Sequence, residues 1–251
     1  AHGLLELCRT DGTMPFSQLA RHGFIGMQLL RSLATRGVFD AAHVDTFMHS
    51  LHTVATDLIQ DMNKVHKGTM TVSGFMQRYG HLRPGTYDIM SWRYEERPDL
   101  YLGQGQVRDL VSTPAFGLSK QQRRDLQTLI EDAGFDTSTE SLLEYIAAAI
   151  KGREQSKFAF TRAISNALKI FSAWGEAHGF ERDDISFLPV DALRGNPDNG
   201  ALREMISQAR EDYILTRALR LPHVIMDAHD IDVVRMPLGQ PTFVTSKSVT
   251  A

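Results

Sequence analysis

The chain of 251 residues has one cysteine, no glycine-rich phosphate loop and no long apolar run. Cys8 alone excludes an internal disulfide and any multi-cysteine zinc site. No stretch approaches the roughly 18 consecutive apolar residues of a membrane-spanning helix, and the start lacks a basic-then-apolar signal pattern. Neither G-x-x-x-x-G-K-[ST] nor G-x-G-x-x-G occurs, so no recognisable nucleotide cradle is present. A G-x-S-x-G elbow and an H-E-x-x-H pair are missing too, which removes the hydrolase and zinc-protease templates. The formal charge is only −3, with no basic excess to attract nucleic acid or an anionic membrane. A reducing, cytoplasmic setting is therefore expected, with neither nucleic acid nor membrane as partner.

What the sequence does have is helical spacing. Phe16, Leu19, Ala20, Phe24, Met27, Leu30 and Leu33 recur at three and four residues behind Pro15, which predicts a core-facing helix stopping at Gly37. A second stripe runs Val44, Phe47, Met48, Leu51, Val54, Leu58, Met62 and Val65. It has Asp40 as N-cap and Gly68 as stop, and should pack antiparallel to the first. Further helices are expected from Ser119 to Gly134 and from Ser138 to Gly179, the latter bent or divided at Gly152. A last helix before Pro222 carries Leu202, Met205, Ile206, Ala209 and Tyr213 on one face. The closing "DIDVVRMPLGQPTFVTSKSVTA" alternates as a strand does, with no partner strand in sight. The fold class is mainly α: an irregular multi-helix bundle with an extended strand-like C-terminal tail. Residues 1–221 are expected to form a helical domain and residues 222–251 an extended linker. Both ends read as cut from a longer protein.

Two segments carry chemistry. "FMQRYGHLRPGTYDIMSWRYEERPDLY", residues 75–101, interrupts the helices with two glycines, two prolines, four tyrosines, one histidine and four arginines. Gly80 and Gly85 can take positive φ, and Pro84 keeps Arg83 from continuing a helix, so the backbone should turn after Tyr79 and again near Gly85. Such an elbow would hold His81, Arg83, Tyr87 and Asp88 at a fixed corner, with Arg93 close by. Guanidinium forks suit carboxylates and phosphates, and a histidine can donate or accept near neutral pH. Four acids in the same span can also neutralise the arginines, so the composition leaves corner and site open. The second segment, "KGREQSKFAFTR", places Arg153, Glu154 and Lys157 within one helical turn beside Phe158 and Phe160. It is either an ion network or an anion-recognition surface. His49 and His52, three apart on a predicted helix with His43 and Asp57 nearby, are the best metal candidates; no metal site is expected from them.

The elbow text "FMQRYGHLRPGTYDIMSWRYEE" resembles the "YGHRGPGE"-like region of phosphotransferases that use phosphoenolpyruvate, the relatives of phosphoenolpyruvate synthase and rifampicin phosphotransferase. The "RE…K" turn and the strand-like "ISFL" link are similar to the later helices of the same central segment, and the closing "PLGQPTFVTSKSVTA" resembles the linker that leads into the mobile phosphohistidine domain. The resemblance spans residues 16–251. Leu82 and Arg83 stand where "RG" is common, and Thr86 replaces the acidic residue after the second glycine. The resemblance implies the central helical module of a protein with an ATP-grasp domain and a swivelling phosphohistidine domain as neighbours. ATP and Mg are implied for that parent, not for this segment, which has no "GGxxSH" phosphocarrier motif. The swivelling domain or a small-molecule acceptor would meet the module at His81, Arg83, Tyr87, Asp88 and Arg93, and the module alone would be inactive. On this reading, replacing Arg83 lowers phosphoryl transfer and leaves folding intact. The rival expectation is a non-catalytic helical scaffold that spaces its neighbours.

Overall fold

A computed structural model describes residues 1–103, 115–193, 198–218, 221 and 225–228. The architecture is mainly α. Apart from residues 225–228, the tail expected beyond residue 222 lies outside the described residues. The chain forms two compact units, residues 1–186 and 187–251.

In the first unit a short helix α1 (His2–Leu7) runs through a π-helical turn (Cys8–Thr13) into α2 (Met14–Thr35). There follow α3 (Ala41–Ser50), α4 (Val54–His66), α5 (Val72–Tyr79), α6 (Pro98–Leu102), α7 (Lys120–Asp132), α8 (Thr139–Ala177) and α9 (Arg182–Ser186). Several ends are written in the sequence. The Asp40 carboxylate accepts the His43 N–H at 2.8 Å and starts α3. Ser119 and Gln122 close a capping box at the head of α7, and the Ser138 hydroxyl accepts the Ser141 N–H at the head of α8. Gly37 and Gly134 leave α2 and α7 with positive φ, as stops at these residues require.

Other expectations change. The stripe from Val44 to Val65 is two helices, because Leu51 turns extended and a Thr53–Thr56 capping box restarts the chain at α4. His49 and His52 therefore share no helix. His49 bonds the Asp45 carbonyl at 2.7 Å and His52 the Asp57 carboxylate at 2.6 Å. Gly152 breaks nothing, since α8 is continuous over 39 residues. The "ISFL" link is not extended, since Ile185 and Ser186 end helix α9.

The main partner of α2 is α8 rather than the second stripe. A Cβ at Gly12 would meet Phe160, one at Gly23 would meet Arg153 and Ala149, and one at Gly26 would meet Ala149 and Ile146. As the first index rises the second falls, so the helices run antiparallel. Their approach is close because these positions lack side chains. Gly152 within α8 is not needed for this approach, since a Cβ there would meet only Leu19 Cδ2 at an ordinary contact distance of 3.6 Å. The same packing rotates Phe24 outward to 60% exposure, so the buried face of α2 is Ala20, Gly23, Gly26, Leu30 and Leu33. Leu30, Leu33, Phe47, Leu126, Ile130 and Ile146 join α2, α3, α7 and α8 in one core.

The α4–α5 pair is held by a polar knot. The buried Asp61 carboxylate accepts from Tyr79 Oη at 2.9 Å, Lys64 Nζ at 2.8 Å and Arg78 Nη1 at 2.9 Å. Burial pushes the Asp61 carboxyl up, but the bonds from Lys64 and Tyr79 outweigh it and hold the group below its ordinary value. In the second unit, α10 (Asn199–Ala218) buries Leu202 and Ile206, whereas Met205 and Tyr213 are exposed. Tyr213 packs edge-on to Phe187 at 5.7 Å.

Candidate functional site

The elbow begins where α5 ends. Gly80 caps α5 in a right-handed conformation (φ −57°), so it is not the positive-φ turn expected, and Gly85 is not one either. Both glycines serve close approach instead. A Cβ at Gly80 would collide with the Met76 carbonyl and crowd Glu95, and one at Gly85 would meet Asp88 Cβ at 2.9 Å. The chain then doubles back, with Tyr94 N–H donating to the Leu82 carbonyl at 2.9 Å and Glu95 N–H to the Gly80 carbonyl at 3.1 Å. Tyr101 stacks on Tyr94 with ring centres 4.3 Å apart and donates to the Trp92 carbonyl at 2.9 Å, closing the far side.

Three side chains of α8 fasten this elbow. Arg162 Nη2 donates to the Arg78 carbonyl at 3.2 Å, Ser165 Oγ to the His81 carbonyl at 2.5 Å, and Lys169 Nζ to Glu95 Oε1 at 2.7 Å. Spacings of three and four put them on one helical face. Helical spacing was the signal for these residues, but without knowing what α8 faced it could not be distinguished from a solvated stripe.

Two arginines of the elbow, Arg83 and Arg93, look inward. Arg83 is 7% exposed. Its Nη1 donates to the Asp88 and Ser91 carbonyls at 3.1 and 3.0 Å, Nε to Ser165 Oγ at 3.3 Å, and Nη2 to the Ser165 carbonyl at 3.3 Å. Four of the five guanidinium donors are thus engaged. The expectation that Arg83 could be removed without harm to folding is corrected here: the side chain is a strut tying both arms of the elbow to α8. Arg93 is 4% exposed, with Nη2 at 3.4 Å from Glu95 Oε1. Burial lowers the pKa of both guanidinium groups. Tyr87 is 60% exposed, and the Asp88 carboxylate turns back to accept the Met90 N–H at 2.9 Å.

One cavity of about 200 Å³ opens between the elbow, α4 and α8. Val54, Ala55, Leu58, Leu82 and Phe158 give it apolar walls, while His81, Arg83, Thr86, Glu154, Lys157, Thr161 and Ser165 supply polar groups. It therefore brings together the two segments singled out in the sequence. Of the elbow candidates it gathers His81 and Arg83, leaving Tyr87, Asp88 and Arg93 outside; of the helical turn it gathers Glu154 and Lys157. Arg153 pairs with Glu154 at 3.1 Å and lies over the Phe24 ring at 5.3 Å. The pairing of Glu154 with Lys157 allowed by their spacing is replaced by this neighbour contact. Sequence reasoning missed the α4 wall, Thr161 and Ser165.

His81 is the unusual member. It is 5% exposed, its ring packs edge-on to Phe158 at 4.9 Å, and neither ring nitrogen has a hydrogen-bond partner of good geometry. Burial and then the Arg162 charge push its pKa down to about 4, against a weak opposing pull from the Phe158 backbone. The ring is neutral at pH 7. Between its ordinary value of 6.5 and about 4, the unfolded chain binds a proton here that the folded ring refuses, so this contribution to stability is present above 6.5 and is lost as pH falls through that window.

Among the described residues, no group of three or more His, Cys, Asp or Glu side chains could hold a metal ion, and no helix is long and apolar enough to cross a membrane. No family model, curated protein or solved structure matches the chain.

Proposed function

We propose that this chain is the acceptor-binding helical module of an ATP-dependent phosphotransferase that works through a phosphohistidine relay. The observation that carries the reading is the cavity in which neutral His81 and the Lys157 ammonium meet, the former from the elbow and the latter from α8. The likeness of the elbow text to phosphoenolpyruvate-utilising phosphotransferases supplies the reaction. A hydroxyl of the acceptor lies against His81. Its oxygen attacks the phosphorus carried by a histidine of a neighbouring swivelling domain; the O–P bond forms, the N–P bond breaks, and the hydroxyl proton passes to the ring nitrogen that the phosphoryl group leaves. Lys157 faces the oxygens of the phosphoryl group in transit. ATP and Mg belong to a neighbouring ATP-grasp module, and no residue of this chain is assigned to them. The module is inactive by itself and works in the cytoplasm.

The scaffold reading draws support from Arg83 and Arg93, whose burial removes them from phosphate binding. The two readings separate on His81→Phe in the full-length protein. An acceptor site predicts a clear loss of ATP-dependent transfer to acceptor, with phosphorylation of the relay histidine unchanged. A scaffold predicts wild-type transfer.

A further inference from the structure

We infer that the tip of the elbow, where Tyr87, Met90 and Trp92 stand out from the surface, is a docking surface for the mobile domain that brings the phosphoryl group to the adjoining cavity. The identity of the occupant rests on the proposed function, whereas the surface itself follows from how the tip is built.

The tip is a loop held in one shape. It makes two successive turns, closed by the Asp88 N–H on the Gly85 carbonyl at 3.0 Å and the Ser91 N–H on the Asp88 carbonyl at 3.2 Å. Ser91 Oγ accepts the Gly85 N–H and the Asp88 carboxylate accepts the Met90 N–H, both at 2.9 Å. From the body side, Arg83 holds the Asp88 and Ser91 carbonyls, and Arg182 reaches the Ile89 carbonyl at 3.4 Å. Ile89 is buried between these turns as an anchor.

With its backbone groups engaged, the tip leaves large apolar side chains in solvent. Tyr87 is 60% exposed, Met90 43% and Trp92 42%. The Trp92 ring is fixed by the Arg182 guanidinium, which lies 3.8 Å from its centre. Tyrosine, tryptophan and methionine are the types enriched where proteins meet, and a surface ordered in advance loses little freedom on docking.

Charge and area narrow the occupant. Arg182 pairs with Glu96 at 3.2 Å and Arg97 with Asp99 at 2.8 Å, so these cations beside the tip are already matched and an apolar, uncharged protein surface fits it. The three side chains expose on the order of 300 Å², against ~800 Å² per partner in a stable complex. That is too little to hold a separate subunit. It suffices for a domain tethered in the same chain, where a linker gives an effective concentration of about millimolar and docking stays reversible. Position points to the same domain. Thr86 lines the cavity and Tyr87 follows it in the chain, so a domain seated on the tip stands beside the space that Lys157 also lines.

The test places the photo-crosslinker p-benzoylphenylalanine in the position of Tyr87 in the full-length protein and maps the coupled peptide by mass spectrometry. The inference predicts coupling to the domain that carries the relay histidine. Tyr87→Ser combined with Met90→Ser should slow single-turnover transfer from that histidine by about tenfold or more, with its phosphorylation by ATP and the urea midpoint unchanged. Trp92 is kept because its ring covers Arg182. Coupling only to another domain or to a second copy overturns the inference, as does wild-type transfer by the double variant, and both results leave the transferase reading to the Lys157 test. A full-length protein in which ATP phosphorylates no histidine overturns that reading and this inference with it.

Discussion

Replacing Arg83 with methionine is expected to destabilise the first unit by about 3–4 kcal/mol. Methionine keeps most of the apolar length of the side chain but donates nothing to the Asp88, Ser91 and Ser165 carbonyls or to Ser165 Oγ. A buried acceptor left without its donor costs about 1–3 kcal/mol, and some of these carbonyls recover water once the elbow loosens. Lysine should rescue little, because a point ammonium cannot span acceptors arranged for a planar fork. Urea denaturation gives the answer as a lower midpoint at an unchanged slope. A wild-type midpoint would mean that the guanidinium is dispensable and that the elbow is held by Ser165, Arg162 and Lys169 alone.

Replacing Lys157 with methionine should do the reverse. The side chain is exposed and has no ion pair among the described residues, so stability should stay within about 0.5 kcal/mol of wild type. Under the proposed phosphotransferase reading, phosphoryl transfer to the acceptor in the full-length protein should fall by about 10²–10³-fold, the size of effect seen when one preorganised electrostatic contact to a developing charge is removed. Single-turnover transfer from the phosphorylated relay histidine isolates that step from ATP use. Together the two variants divide the site into a strut and a working group. A Lys157→Met protein that transfers normally would move the chemistry away from this cavity.

The fold was legible at several helix ends that a local rule decides. Asp40, Ser119 and Ser138 cap helices because a side-chain oxygen beside an unpaired N–H needs no tertiary help, and Gly37 and Gly134 end helices for an equally local reason. One error lies where long-range packing competed, and another where a local capping box interrupts a continuous apolar stripe. Phe24 fits the period of the α2 core stripe, yet the glycines at 12, 23 and 26 draw α8 onto a neighbouring face and turn Phe24 outward. The stripe from Val44 to Val65 kept its period across Leu51, Thr53 and Thr56, where local capping divides the helix.

The site was half legible for the same reason. Composition marked the elbow and the "RE…K" turn, and His81, Arg83, Glu154 and Lys157 do line one cavity. What composition could not give was direction. Arginine reads as an outward anion clamp from its chemistry alone, but Ser165 and three carbonyls turn Arg83 into internal bracing. The spacing of Arg162, Ser165 and Lys169 on α8, which creates the junction, had no meaning until their partners on the elbow were known.

The central claim is that the elbow encloses a neutral His81 against the cavity. Long-range ¹H–¹⁵N spectra of its imidazole between pH 3 and pH 8 test this most directly. The account predicts a neutral ring at pH 5.5 that takes up its proton at about pH 4. Titration near 6.5, the ordinary histidine value, would place the ring in water and contradict the site.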